Sequence, residues 1–385
     1  MSIFESNPAL RWTVPAVTAV ALVGGGAAVG GLRAIADAGL PARSAAQLLV
    51  DVRQARLDGL SGTVVQKSDL GLPDLPVAGA SGGTGSSDLT SLISGTHTMR
   101  VWFAGPDKAR MALLGTLGES DVIRNGQDVW VWASKEKTAK HYVLPTHDAA
   151  GKSGTSGMPS PTDLPTSPQD AADKALAAIT PSTEVTTSGT ATVAGRPAYE
   201  LVLKPKEATS LVAQVRVAID GTKHVPLRVQ VFAKSVADPV FEVAFSAVDF
   251  ARPDAAQFAF NPPPGTTVTD AKAPTHGPSA ADSTTKTVAP QQNLADMPKV
   301  VGKGWGSVMV AKAPLAAVSG SAGATADKSI AQLMKFVALL PKKSGSWGSG
   351  HLMAGTAFSV LLTDDGRLVV GAVTPEGLYA ALAGS

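Results

Sequence analysis

The sequence contains no cysteine among its 385 residues, so it can form neither a disulfide nor a thiolate metal site, and it offers no cysteine for lipidation. Aromatic residues make up only 5% and charged residues only 17% of the chain. The net charge is +2, and the 33 Lys and Arg residues are scattered rather than clustered. Because a nucleic-acid interface needs a concentrated basic patch, we predict no nucleic-acid partner.

Motifs for catalysis and metal binding are also missing. The six histidines show no pairing at metal-ligand spacing. Residues 79–83 have the spacing of a nucleophile elbow around Ser81, but they lie in a Gly/Ser-rich stretch without a strand before it and a helix after it. Residues 151–153 resemble the end of a phosphate loop, but Thr146 stands where its first glycine is needed. We therefore predict no enzyme, no catalytic residue, no metal and no cofactor, with a hydrolase that uses Ser81 as a third alternative.

The longest apolar run lies near the N-terminus. Residues 13–32 form a charge-free run of 20 residues with an arginine on each side, which is about the length that crosses a bilayer as a helix. Alanines at positions 34, 36 and 38 suit a cleavage site. We predict that residues 1–38 are a signal sequence or an N-terminal membrane anchor. The protein is then exported, and it is either held at the outer face of the cytoplasmic membrane or secreted after cleavage.

Residues 39–268 have the pattern of a large sheet domain. A helix is predicted over 44–58, where Ser44 and Gln47 fit a capping box, and a second over 168–180. Gly/Ser/Pro-rich loops are predicted at 68–95 and 146–166. Asn125-Gly126 is a strong hairpin signal, and most consecutive strands have no helix between them. These features predict one antiparallel sheet, curved because wide twisted sheets curl. Alternation predicts strands at 62–67, 97–103, 110–117, 121–125, 127–134, 139–144, 184–194, 197–204, 211–219, 224–233 and 239–250.

The remainder of the chain divides into a linker and a smaller unit. Residues 269–298 are rich in Ala, Pro, Thr, Ser and Lys and show no periodicity, which is typical of a linker. Residues 299–385 are predicted to form a small α+β domain with a strand at 307–312, a helix at 327–340, a hairpin turning at Asp365-Gly366 and a final helix after Pro375. The fold class is therefore α+β, with a large curved antiparallel sheet followed by a small α+β domain.

The strand faces carry more apolar surface than a sheet core needs. Trp130 and Trp132 point to one side of their strand, and Val129 and Val131 point to the other. Any single residue of this kind can be ordinary core packing, but together they exceed what two helices would cover, and a curved sheet with spare apolar lining forms a hydrophobic pocket. The predicted lining is Leu48, Val52, Met99, Val101, Phe103, Met111, Leu113, Trp130, Trp132, Tyr142, Tyr199, Leu201, Leu227, Val229, Phe241 and Phe245.

Several stretches resemble the lipoprotein-carrier (LolA/LolB) superfamily. They are the capped helix, the hairpin "DVIRNGQDVWVWASKEKTAKHYVLP" with its polar-Gly turn before paired aromatics, the Pro-started helix, and the closing "VDFARPDAAQFAFNPPPGTTV". The resemblance covers 44–268 and implies a strongly curved antiparallel half-barrel, closed by helices, that holds acyl chains without catalysis. The chain departs from that pattern in its two long loops, in lacking a lipidated cysteine and in its extra C-terminal domain.

The two-domain layout resembles the periplasmic sigma-factor regulators of the RseB/MucB type. This resemblance implies an anti-sigma partner and lipid-linked stress sensing. Two hypotheses therefore stay open. In the first, a non-enzymatic exported protein binds lipid or the acyl chains of lipoproteins as a carrier or sensor. In the second, the barrel senses and residues 299–385 contact an anti-sigma factor or another membrane protein.

Overall fold

The computed structural model describes residues 40–71, 86–144, 180–272, 298–312 and 335–383. The N-terminal apolar run, the helix predicted at 168–180, and most of the predicted loops, linker and helix 327–340 lie outside these ranges. Within them, no helix is both long enough and apolar enough to span a membrane.

The larger sheet has twelve strands in the order β12-β6-β5-β4-β3-β2-β1-β11-β10-β9-β8-β7. All neighbours pair antiparallel except β12 and β6, which run parallel. The strands are β1 (Leu60–Ser68), β2 (Gly95–Phe103), β3 (Lys108–Gly115), β4 (Gly118–Asn125), β5 (Asp128–Ala133), β6 (Thr138–Val143), β7 (Thr183–Val193), β8 (Arg196–Pro205), β9 (Val212–Asp220), β10 (Pro226–Ala233), β11 (Pro239–Asp249) and β12 (Thr267–Lys272). Only β12 has no predicted counterpart, and it extends past residue 269, where the linker was predicted to begin.

The sheet is open and curled. Its order starts at β12 and ends at β7, so the ends do not pair with each other. Cα atoms of β7 nevertheless come within 8 Å of β11, although three strands lie between the two. A register shift between Thr63 and Val64 of β1, opposite β11, contributes to the bend because a bulge kinks its strand. The predicted fold class, a large curved half-barrel with a smaller second domain, is confirmed.

Helix α1 (Ala45–Gln54) packs on one face of this sheet. Its start is a capping box, in which Ser44 Oγ accepts from the Gln47 amide at 3.2 Å and Gln47 Oε1 accepts from the Ser44 amide at 3.0 Å. Leu48 is fully buried against Tyr199, Leu201 and Ile219. Burying such a leucine contributes about 1.5 to 3 kcal/mol, so the helix fixes the end of the sheet formed by β7 to β9.

The smaller sheet has six antiparallel strands in the order β13-β14-β18-β17-β16-β15. Its core lies between the sheet and helix α2 (Pro375–Ala383), where Leu361, Val369 and Leu378 are fully buried. The predicted turn is present, with Gly366 at φ +84°. The strands are β13 (Lys299–Val301), β14 (Val308–Lys312), β15 (Lys342–Gly345), β16 (Gly348–Ala354), β17 (Ser359–Thr363) and β18 (Arg367–Gly371).

Main-chain hydrogen bonds join the two sheets. Trp305 adds a side-chain bond, because its Nε1 donates to Thr183 Oγ1 at 2.9 Å. Ala357 packs in one cluster with Ala233 and Val240 of the larger sheet. The joint therefore uses main-chain as well as side-chain groups of both sheets. The main-chain donors and acceptors are Leu211 N with Ala372 O (2.9 Å), Thr374 N with Thr209 O (2.8 Å) and Thr356 N with Leu70 O (2.9 Å).

Candidate functional site

The pairing register assigns every side chain of β1 to β6 to one of two faces. Side chains alternate along a strand, and directly paired residues share a face. We call the face on which α1 packs the inner face. Tyr199 and Leu201 lie on it, and the register carries this face through β9, β10 and β11 to Val64 of β1 and on to Met99 of β2.

One apolar row crosses four strands on the inner face. Val101 of β2 pairs with Met111 of β3, Met111 with Val122 of β4, and Val122 with Val131 of β5. Strands lie about 4.8 Å apart, so this row is about 14 Å wide. All four side chains are only half-buried, as are Phe103 and Val129 in the adjacent row. We call these six residues the inner floor: Val101, Phe103, Met111, Val122, Val129 and Val131.

Most of the predicted lining residues lie on the inner side, in three groups. Leu48, Val52, Tyr199 and Leu201 pack in the α1 cluster. A second cluster joins members of β1, β2, β10 and β11, and it contains the predicted residues Val101, Phe103, Leu227, Phe241 and Phe245. The register places the others, Met99, Met111, Leu113, Tyr142 and Val229, on the inner face.

Trp130 and Trp132 lie on the opposite, outer face, and this placement corrects the predicted lining. They pair with Ile123 and with Asp121 of β4. Phe260 covers both indoles, with ring centroids 5.3 Å from Trp130 and 6.0 Å from Trp132. The space beside the tryptophans is therefore filled by the chain itself. The physical reason is alternation, since Val129 and Val131 take the inward positions of β5.

The segment after β11 builds this outer cover. Its short 3₁₀ helix, Ala255–Phe258, is capped by Asp254, whose Oδ1 accepts from the Ala256 amide at 2.8 Å. Phe258 is buried with 1% of its surface exposed. Arg110 donates to Gln257 O at 3.4 Å and forms an ion pair with the buried Asp121. Burial raises the pKa of Asp121, although the Arg110 guanidinium acts to lower it.

His141 ties the edge strand β12 to β5 on the outer face. Its Nε2 lies 2.8 Å from Asp128 Oδ1 and its Nδ1 lies 3.0 Å from Asp270 Oδ1. The ring stacks on Trp130 with a centroid distance of 4.2 Å. Hydrogen bonds to Asp128, and more weakly to Asp270, raise the pKa of His141. Because both ring nitrogens are engaged, this group is a structural clasp rather than a metal ligand set.

A shallow groove of about 240 Å³ also opens on the outer side, along β1 and its neighbours. The small side chains Ser61 and Thr63 lie between Asp249 on β11 and the larger Arg100 and Trp102 on β2. Its lining mixes polar side chains such as Arg100 and Asp249 with apolar ones such as Trp102 and Val248. In the part of the chain that the structure describes, no group of three or more His, Asp or Glu residues could hold a metal ion. Ser81 lies outside that part.

Comparisons with known proteins found similar structures but no similar sequences. No protein-family model and no curated protein matches the chain. A chain of the Pseudomonas aeruginosa MucA/MucB complex is 14% identical, covers 88% of this chain and 96% of its own length, and has a TM-score of 0.41. A LolA superfamily protein from Nitrosomonas europaea is 12% identical, with coverage of 57% and 99% and a TM-score of 0.21. Mycobacterium tuberculosis lipoprotein LppX is 14% identical, with coverage of 52% and 93% and a TM-score of 0.26.

The similar structures thus include a chain from a MucA/MucB complex and a LolA superfamily protein. The inner floor offers apolar contact over several strands and no nucleophile, acid or base among its six residues. Such a surface can hold an apolar chain.

Proposed function

We propose that the protein binds lipid, or the acyl chains of lipoproteins, on the inner face of the half-barrel and does no chemistry on them, acting as a carrier or lipid sensor. The observation that carries this proposal is the half-buried inner floor. Removing exposed apolar surface from water contributes ~25 cal/mol per Å², and these partly exposed side chains still have such surface to bury. A bound acyl chain would bury it.

The fit to a flexible chain follows from the nature of the floor. Valine, methionine and phenylalanine side chains give non-directional contacts, which suit ligands without fixed polar groups along their length. Met111 stands near the middle of the floor, and its unbranched thioether adapts to irregular partners. The α1 cluster covers the β7 to β9 end, so the ligand would lie over β2 to β5.

A filling substitution tests the proposal. Val122→Trp places a large ring on the inner floor. It should weaken the binding of a fluorescent fatty-acid probe at least about tenfold, because the ring occupies the space that the acyl chain needs. Leu114→Trp is the matched control, since Leu114 is also half-buried but lies on the outer face of β3. Equal probe binding by both folded variants would contradict the proposal.

Export is part of the proposal and rests on the apolar run at 13–32. The division of the chain into a ligand-binding domain over 39–268, a linker and a second domain over 299–385 is also part of the proposal. Protease added to spheroplasts or protoplasts of the host, whose cytoplasmic membrane is intact, should degrade the protein, because an exported protein lies outside that membrane. Full protection, with degradation only after lysis, would argue against export.

A regulator is the second candidate, with an anti-sigma factor or another membrane protein as the partner of the smaller domain. The joint between the sheets favours it, because backbone bonds such as Leu211 N to Ala372 O can transmit a change from one sheet to the other. The intact protein, either delipidated or loaded with lipid, would be used to capture partners from host membranes. A partner captured in only one of the two states supports a sensing regulator, and identical capture in both states contradicts it.

A further inference from the structure

The charges on the inner face are few and of one sign. Along β1 to β6, the inward positions fixed by the register include no Asp or Glu, and Arg124 and Lys140 are their only Lys or Arg residues. The outer face of the same strands differs, since it carries Asp121, Glu119 and Asp128. The inward positions of these strands are therefore largely apolar, and Arg124 and Lys140 are the charged residues at their border.

Only one of these two cations is free. Arg124 Nη2 donates to Asp107 Oδ1 at 2.9 Å, so its charge is already paired. Lys140 is exposed and has no acidic partner among the described residues. It pairs directly with Val131 on β5 and with Thr269 on β12. Lys140 thus stands at the end of the apolar row that runs from Val101, one strand beyond the floor.

We propose that the ligand is an anionic amphiphile, whose carboxylate or phosphate head binds Lys140 while its chain lies along the row from Val131 toward Val101. This inference rests on the proposed function and names the class of lipid that the same site selects. A free ammonium beside an apolar surface favours an anionic head because the surface excludes water on one side, which strengthens the attraction. Tyr142, on the same face two residues away, adds a hydroxyl that can donate to the same head.

Three probes of equal chain length test the inference on the intact protein: dodecanoate, dodecyl phosphate and dodecanol. We expect one or both anions to bind roughly threefold to tenfold more tightly than the alcohol, and the two anions together identify which head is preferred. Lys140→Gln should remove this preference and leave dodecanol binding unchanged. Lys140→Arg should keep it, which separates the charge from an effect on folding.

Lys67→Gln is the matched control, because Lys67 is an exposed lysine on the outer face of β1. It should change the affinity of no probe. High salt should reduce the advantage of the anions, since exposed charges are screened. Equal binding of anions and alcohol, or a preference that survives Lys140→Gln, would overturn this inference and leave the proposed function standing. Binding of none of the three probes by the folded protein would overturn both.

Discussion

Phe258→Ala is the substitution that tests the outer cover most severely. Phe258 is the largest of the fully buried side chains, and its 3₁₀ helix lies over β3 and β4. Removing the ring leaves a cavity between the sheet and the segment, and such truncations cost about 3 to 5 kcal/mol. The hydrogen bond from Arg110 to Gln257 O, at 3.4 Å, is too weak to hold the segment alone.

Urea unfolding followed by tryptophan fluorescence measures this cost, because Trp130 and Trp132 lie under the same segment. Phe260→Ala is the internal comparison. Phe260 is only half-buried, so its truncation should cost less, roughly 1 to 2 kcal/mol. A loss below about 1 kcal/mol for Phe258→Ala, or a larger loss for Phe260→Ala, would refute the account of a filled outer core.

Three further predictions concern the clasp, the hairpin turn and the joint. The pKa of His141 is raised in the folded state, so its bonds to Asp128 and Asp270 stabilise the fold fully below about pH 6.5. This stabilisation is lost as the pH rises through the higher folded-state pKa. The difference in free energy of unfolding between wild type and His141→Gln, measured in urea, should therefore shrink toward alkaline pH. A gap independent of pH would contradict the clasp. Gly126 has φ +67°, and Gly126→Ala should cost about 1 kcal/mol in the same titration; no loss would argue against the turn geometry. Trp305→Phe removes a hydrogen bond between the sheets and should lower the free energy of unfolding by about 0.5 to 1.5 kcal/mol, and an unchanged unfolding curve would show that the joint does not depend on it.

Local signals were enough to predict most strands of the larger sheet. Each predicted strand alternates and is bounded by turn residues, and Asn125-Gly126 fixes the register of its hairpin. Strand β12 was missed because "TVTDAK" opens a stretch whose composition is typical of a linker. It pairs in parallel with β6, far away in sequence, so no turn next to it indicates the pairing.

The face of each strand could be predicted only in part. The sequence shows that Trp130 and Trp132 share one face, and the structure agrees. It does not show which face, because Val129 and Val131 make the other side of β5 apolar too. The residue that decides is Phe260, which reaches the tryptophans from a segment beyond β11. Helix α1 likewise identifies the inner face only through its packing on Tyr199.

If an acyl chain lies on the inner floor, photo-crosslinking should attach it there. The intact protein would be irradiated with a fatty acid that carries a photoreactive group in its chain, and the labelled residues would be identified by peptide mass spectrometry. We expect labels on Met111, Val122 and Val131, and unlabelled dodecanoate should compete with the labelling. Labels confined to outer-face residues such as Trp102 and Leu114, or no label that dodecanoate displaces, would contradict binding on the inner floor.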